Sequence, residues 1–168
     1  MIDLEIPDYD PATIISSELF TIEAPSAVVW SILLDLPRYG AWNPFCVQAE
    51  SSLELGAPVF MKLNNYTMPG QTFPNCEYIC AKIPERLISW ELRAADSPYP
   101  ARRDQILTAM GESRCTYQST DAFFGPHAQH VMYFCSAWIK RAFDDTGHAL
   151  KARAEALYHR AGNVRSCM

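Results

Sequence analysis

Four residues with ionisable or hydrogen-bonding side chains lie in strand-like segments of the chain: Glu77, Arg103, Tyr117 and Asp121. Alternate residues of a strand face opposite sides of a sheet, so each of them shares a face with the apolar residues at even spacing from it. If those faces are interior, all four side chains converge on one apolar pocket, whereas a slip of one residue would turn a strand's set outward. The apolar residues that define the inward faces are Ile79, Ala81, Ile83, Leu107 and Phe123.

These side chains suit acid-base chemistry on a small molecule. A carboxyl group against an apolar wall has a raised pKa and can act as a general acid or base, while Arg103 can hold an enolate or a carboxylate of the ligand. A buried charge is costly unless it is paired, so the set is either a salt-bridge network or a functional site. Aldol cyclisation, dehydration or isomerisation needs little more, and we expect no cofactor.

Motifs for other common chemistries do not occur in the sequence. It has no G-x-S-x-G, P-loop, G-x-G-x-x-G or H-E-x-x-H pattern, which argues against the usual hydrolases, NTPases, dinucleotide enzymes and metalloproteases. His127 and His130 lie at i and i+3, and Cys76 and Cys80 fall on one strand face, but a metal site needs three or four converging ligands. We therefore predict no metal site, with the histidines capping a helix or forming the rim of a pocket.

Length and composition indicate one ordinary globular domain. The 168 residues are 49% hydrophobic and 20% charged, and the net charge of −5 disfavours binding to nucleic acid or to an anionic membrane surface. The sequence shows no secretory signal, no apolar run long enough to span a membrane and no disulfide-scaffold spacing of its cysteines, so we predict a cytoplasmic protein. Residues 1–12 are expected to be a flexible lead-in, 13–160 the domain and 161–168 a tail.

Helix and turn signals predict the elements that position the site. Pro25 and a run of apolar residues at helical spacing predict a short helix, which Pro37 ends, and a second short turn leads to the corner W-N-P-F at 42–45. Strands with Gly and Pro turns between them should pair as antiparallel hairpins. A long amphipathic helix runs from about His127 to His159, where Gly147 is a position that could bend it. The predicted strands are 13–23, 46–53, 58–66, 72–83, 87–94, 103–110 and 114–124.

Several of these segments resemble those of the START-like, Bet v 1-like superfamily, also called SRPBCC, and its polyketide cyclase/dehydrase group. The matching segments are A-P-S-A-V-V-W with W-N-P-F, then L-E-L-G-A-P-V, I-P-E-R-L-I-S-W and A-L-K-A-R-A-E, in the expected order from about Ser17 to Leu157. The resemblance implies an α+β helix-grip fold, in which a seven-strand curved antiparallel sheet wraps around a long C-terminal helix and two short helices follow the first strand. It also implies a cavity between sheet and helix that takes a small hydrophobic or aromatic, polyketide-like ligand.

Two functions remain open on this evidence. Polar side chains that point into the pocket favour a cofactor-independent cyclase or dehydratase, a lyase or isomerase, whereas a pocket lined only by aromatics favours a non-catalytic carrier or sensor of an apolar metabolite. An interaction module has less support, since no long exposed apolar stripe is evident. The protein is expected to be a monomer or homodimer whose partner is its small-molecule ligand. Predicted ligand-binding residues are Trp42, Asn43, Trp90, Gln105, Ser119, His127, Val131, Phe134 and Trp138.

Overall fold

The computed structural model describes residues 6–166, with side chains through residue 161. Within this range the chain forms eight strands, two α-helices and two 3₁₀ helices, the latter at Pro11–Thr13 and Leu36–Ala41. No helix of the described range is long and apolar enough to cross a membrane. The α-helices are α1 (Ser26–Leu34) and α2 (Ala128–Ser166), and the strands are β1 (Ile14–Ser16), β2 (Phe20–Ile22), β3 (Cys46–Glu50), β4 (Pro58–Asn64), β5 (Thr72–Ile83), β6 (Leu87–Leu92), β7 (Ala101–Ala109) and β8 (Cys115–Phe123).

All strands belong to one antiparallel sheet, in the order β1-β8-β7-β6-β5-β4-β3, with β2 also paired to β8. The α+β helix-grip prediction is confirmed: the curved sheet carries a long C-terminal helix, and α1 and the 3₁₀ helix at Leu36–Ala41 follow the first strands. The predicted first strand, 13–23, is divided into β1 and β2. At the break, the backbone N–H of Ser17 donates to the carbonyl oxygen of Ser119.

The register of the central strands brings the inward residues together. Arg103 in β7 pairs with Asp121 in β8 on one side and with Trp90 in β6 on the other. Glu77 pairs with the buried Val59 in β4, and Ile79, two residues further along β5, pairs with Trp90. Because paired residues share a face of the sheet, Glu77, Arg103 and Asp121 all lie on the face that packs against α2.

A β-bulge in β5 corrects part of the predicted alternation. The register shifts between Ile79 and Ala81, and Ala81 pairs with Ser89, which faces the opposite side of β6 from Trp90. The predicted inward positions of Ala81 and Ile83 are therefore wrong, because a bulge inserts one unpaired residue and exchanges the faces beyond it. Ile79 lies before the bulge, so the inward position of Glu77 is unaffected.

Asn43 ties the corner at 42–45 to α2. Its side-chain oxygen accepts hydrogen bonds from the backbone N–H groups of Phe45 and Cys46, both at 2.9 Å, and from the Thr146 hydroxyl at 3.3 Å. Asn43 is buried, and one amide oxygen satisfies donors that would otherwise be stranded. This side chain holds the fold together instead of lining the cavity.

Gly147 allows close packing between α2 and β2. A Cβ atom on this residue would lie 2.1 Å from Cε2 of the Phe20 ring, far inside van der Waals contact. Phe20 is itself only 5% exposed. Gly147 was predicted as a position that could bend the helix. The structure gives another reason for a glycine there, since the Phe20 ring occupies the space that a side chain would need.

A second polar cluster lies on the opposite face of the sheet. The Nε of Arg102 donates to the Asp104 carboxylate at 2.9 Å, and the buried Ser89 hydroxyl donates to the same oxygen. Nearby, the Tyr9 ring stacks on Phe124 with centroids 5.8 Å apart.

The domain boundaries proposed at residues 12 and 160 stay predictions.

Candidate functional site

A cavity of about 330 Å³ lies between the inner face of the sheet and the N-terminal half of α2. Most of its lining is apolar, and its charged or ionisable side chains at the wall include Glu77, Arg103 and Asp121. A volume of this size falls within the range of small-molecule sites. The apolar wall consists of Phe45, Met61, Leu63, Phe73, Leu92, Ala101, Phe123, Val131, Trp138, Ile139 and Phe143.

Arg103 places a guanidinium group in this apolar wall. The side chain is 7% exposed, its Nε donates to the Ser119 hydroxyl at 3.0 Å, and its central carbon lies 4.2 Å from the centroid of the Phe143 ring. Among the described residues, no carboxylate oxygen lies within 4.0 Å of it, although Asp121 is its direct cross-strand neighbour. The positive charge is therefore held by a hydroxyl and a ring, and it remains available to an anionic group in the cavity.

Glu77 lies across the cavity wall on β5. Its Oε1 accepts a hydrogen bond of 2.7 Å from the side-chain amide of Asn75. Burial raises the pKa of the Glu77 carboxyl to about 7, although the charge of Arg103 and the bond from Asn75 both act to lower it. Both protonation states are thus populated near neutral pH, as a general acid or base requires.

Asp121 is the second carboxyl group on the wall. It makes no side-chain hydrogen bond to any residue that the structure describes. Burial is the main cause that raises its pKa well above the ordinary value, and the negative charge of Glu77 adds to it, while Arg103 acts in the opposite direction. Burial thus favours the protonated form of Asp121, which presents a hydrogen-bond donor to the cavity.

A buried layer lies behind Arg103. The Tyr117 hydroxyl donates to the side-chain oxygen of Gln105 at 3.1 Å, and both residues are fully covered. Burial raises the pKa of Tyr117. Tyr117, Gln105 and Ser119 do not line the cavity. Tyr117 was predicted to be catalytic and the other two to contact the ligand, but all three lie one layer behind the wall.

The aromatic candidates are divided between the wall and other surroundings. Val131 and Trp138 line the cavity as predicted from the helix spacing. Trp90 lies beneath Arg103, its ring centroid 5.9 Å from the guanidinium carbon, and Trp42 packs edge-to-face on Tyr39 outside the wall.

Phe134 and His127 are also absent from the wall. Phe134 is 73% exposed, because it lies on the flank of α2, where the helical spacing had predicted burial. His127 stacks on His130 at 5.6 Å and lies 5.8 Å from the Tyr99 ring. Tyr99 in turn lines the cavity, so the predicted rim position of His127 is supported, while direct contact with a ligand is not.

Sequence reasoning missed several wall residues. Asn75 is two residues before Glu77 and shares its face, so strand alternation could have identified it. Cys135 lies one helical turn from Val131 and could have been found in the same way. Tyr99 and Ser97 come from the loop between β6 and β7, where no periodicity exists to indicate them.

No group of three or more potential metal ligands occurs among the described residues.

No family model and no curated protein matches this chain. Among solved structures, it is similar to the Zhui aromatase/cyclase from a Streptomyces species, with 17% identity, a TM-score of 0.63, and coverage of 84% of this chain and 93% of that one. A norcoclaurine synthase from Thalictrum flavum gives 13% identity, a TM-score of 0.60, and coverage of 88% and 95%. A START superfamily protein from Mycobacterium smegmatis gives 13% identity, a TM-score of 0.56, and coverage of 82% of this chain and 98% of that one. At these identities the similarity concerns the fold.

Proposed function

We propose that this chain, which has the helix-grip fold of START-like, Bet v 1-like proteins, is a cofactor-independent enzyme that acts on a small aromatic or polyketide-like molecule. The reaction is a cyclisation, dehydration or isomerisation of a carbonyl compound, in the class of lyases or isomerases. Arg103, Glu77 and Asp121 supply the charges and protons. A cytoplasmic location and a monomeric or homodimeric state remain predictions from the sequence.

The observation that carries this proposal is the arrangement of Arg103 and two carboxyl groups on one apolar wall without an ion pair among them. Ion pairs in apolar surroundings are poor stabilisers compared with well-packed apolar side chains, so stability alone gives little reason to place three ionisable groups there. Groups with perturbed pKa values in a cavity are typical of acid-base sites. We place a ligand oxygen beside Arg103 and Asp121, which are cross-strand neighbours on this wall.

The proposed reaction begins with removal of a proton next to a ligand carbonyl. The Glu77 carboxylate takes this proton as the C–H bond breaks; the bond's electron pair forms the enolate double bond, and the carbonyl π electrons move to oxygen beside Arg103. In a cyclisation, the enolate carbon then attacks a second carbonyl, whose oxygen receives the Asp121 proton. In a dehydration, the β-hydroxyl group takes that proton and leaves as water.

Tyr117 has a supporting role in this proposal. It does not line the cavity wall, it donates to Gln105, and its hydroxyl lies within hydrogen-bonding reach of Ser119 and Arg103, so it positions the guanidinium from behind the wall.

Paired substitutions test the proposal. Arg103→Met with Glu77→Gln, and separately with Asp121→Asn, should leave thermal unfolding near wild type and abolish turnover, because each pair removes the buried Arg103 charge together with a carboxyl group that interacts with it electrostatically. Removal of one partner alone could destabilise by about 3–5 kcal/mol through the stranded charge, which is why the changes are paired. The substrate is identified first by native mass spectrometry of the purified protein, followed by incubation with the ligand found. Full activity in both double variants would contradict the acid-base role.

A carrier or sensor function is the alternative, and the largely apolar wall is the observation that favours it. It predicts that the wild type and both double variants bind the same apolar ligands with equal affinity and that no conversion of any ligand occurs.

A further inference from the structure

The cavity wall holds few charges besides that of Arg103. Among the described residues on the wall, Arg103 is the one basic group, and α2 contributes one titratable side chain, the thiol of Cys135. From β3, the buried Cys46 thiol lies close enough to interact with Glu77 and Arg103, and its own pKa is raised by burial. Asp104 acts on Asp121 from the other face of the sheet. The titratable groups facing Glu77 from the surrounding elements are Arg103, Asp121, Cys46, Cys135 and Tyr99.

Arg103 is built to accept an anion from the ligand side. Phe143 covers one face of the guanidinium at 4.2 Å, Ser119 accepts from its Nε, and the Tyr117 hydroxyl lies within hydrogen-bonding reach of the group. These partners are all neutral, so the positive charge has no anionic partner among them. Guanidinium N–H groups bind carboxylates and other planar oxyanions in the plane of the group. Among the described residues, no carboxylate oxygen lies within 4.0 Å of the guanidinium nitrogens, so the anionic partner of Arg103 is one that the ligand would supply.

An oxyanion beside Arg103 would change the charge state of Glu77. The positive charge of Arg103 attracts the Glu77 carboxylate and so favours the ionised carboxyl. A ligand anion replaces the carboxylate as the partner of Arg103 and repels it within the same apolar volume, so both effects favour the protonated carboxyl. The protonated form of Asp121, which burial favours, can donate to the same oxyanion.

We infer that the cavity selects apolar monoanions, that is, planar aromatic molecules with one carboxylate, phenolate or enolate oxygen group, and that Glu77 takes up one proton when such an anion binds. This inference rests on the proposed function, because the bound state has the charges expected after Glu77 has removed a proton from a substrate: a neutral Glu77 and an oxyanion beside Arg103. The site is thus complementary to the enolate and not to the neutral carbonyl compound.

Two matched probes test the inference without knowledge of the substrate: 2-naphthoate, which stays ionised between pH 6 and 8, and the neutral 2-naphthamide. Binding is measured by calorimetry at pH 6, 7 and 8, in two buffers of different ionisation enthalpy so that proton uptake is counted directly. Since the pKa of Glu77 is about 7, naphthoate should bind about tenfold more weakly at pH 8 than at pH 6, with uptake approaching one proton at pH 8. Naphthamide binding should not change with pH.

Variants assign the effect to single residues. Glu77→Gln should bind naphthoate with the same affinity at all three pH values and without proton uptake, and Arg103→Met should lose the preference for naphthoate over naphthamide. The matched controls are Glu54→Gln and Arg114→Met, whose side chains are exposed and do not line the cavity, and both should behave as wild type. If Arg103→Met does not fold, the Glu77→Gln result decides.

Naphthoate binding that is independent of pH in the wild type, or that keeps its pH dependence in Glu77→Gln, would overturn the inference. Binding of naphthamide but not of naphthoate would overturn it too, while leaving the proposed cavity function intact. Failure of both probes to bind the wild type would count against the cavity function itself.

Discussion

Glu77 makes the stability of the folded protein depend on pH. Its carboxyl pKa rises from 4.5 to about 7 on folding, mainly because burial disfavours the charged form. For a carboxyl group whose pKa is raised, the folded state binds more protons than the unfolded state between those two values. The favourable contribution is therefore complete below pH 4.5 and is lost as the pH rises through 7.

The variant Glu77→Gln should remove this contribution. At 1.36 kcal/mol per pKa unit, the wild type should lose up to about 3 kcal/mol more of its free energy of unfolding than the variant between pH 4.5 and pH 8. Urea unfolding at pH 5, 6, 7 and 8 measures the difference, with Glu54→Gln as the exposed control. Wild-type and Glu77→Gln stabilities that change in parallel over this range would show that Glu77 titrates normally.

At the residue scale, the sequence predicted which polar side chains meet but not how deep each one lies. Strand alternation placed Glu77, Arg103 and Asp121 on one face because their strands pair in register at this level. Alternation cannot distinguish the cavity wall from the layer behind it, which is where Tyr117 lies. The prediction for Phe134 was wrong for a related reason: the helical stripe predicts the side of α2 that is buried, and Phe134, at the edge of that stripe, projects into solvent.

The packing of two elements, α2 and β2, depends on Gly147, which has no side chain. A glycine inside a helix normally costs about 1 kcal/mol relative to alanine, so replacement by alanine would stabilise a free helix. In this protein the added methyl group would meet the Phe20 ring, and overpacking of this kind costs about 1–3 kcal/mol. The steric cost of the added methyl group exceeds the gain in helix propensity, so the substitution should destabilise the protein.

The variant Gly147→Ala should therefore lower the free energy of unfolding by up to about 2 kcal/mol, measured by denaturant titration. In the background Phe20→Val, where the ring is removed, the same substitution should be neutral or stabilising. Destabilisation of equal size in both backgrounds would mean that the helix requires glycine for a reason other than Phe20.

The elements themselves were largely predictable, and the exceptions have local causes. Periodicity and turn residues gave the hairpins and the long helix because each pattern persists over many residues. The division of the first strand and the bulge between Ile79 and Ala81 left no such pattern, since each involves one or two residues whose backbone partners lie far away in the sequence.

The whole sheet is closed at one edge by strands that are far apart in the sequence, because β1 and β2, the first strands of the chain, pair with β8, the last. Both pair with β8 alone, so Ile14 meets Ala122 and Ile22 meets Cys115. The strands between them form consecutive hairpins. Contacts between distant parts of a sequence form late because the loop that connects them must be closed first.

This arrangement has a consequence for the protein during its synthesis. At about 5–20 residues per second, β1 and β2 leave the ribosome roughly 5–20 s before β8 is made, and Phe20 and Ile22 stay without their partners for that time. Nascent chains arrested with residues up to 110 outside the ribosome should be digested rapidly by a protease, while chains with the full sequence outside should resist it. Equal resistance in both would show that the N-terminal part folds alone; otherwise, the first strands are where a chaperone would have to bind a growing chain.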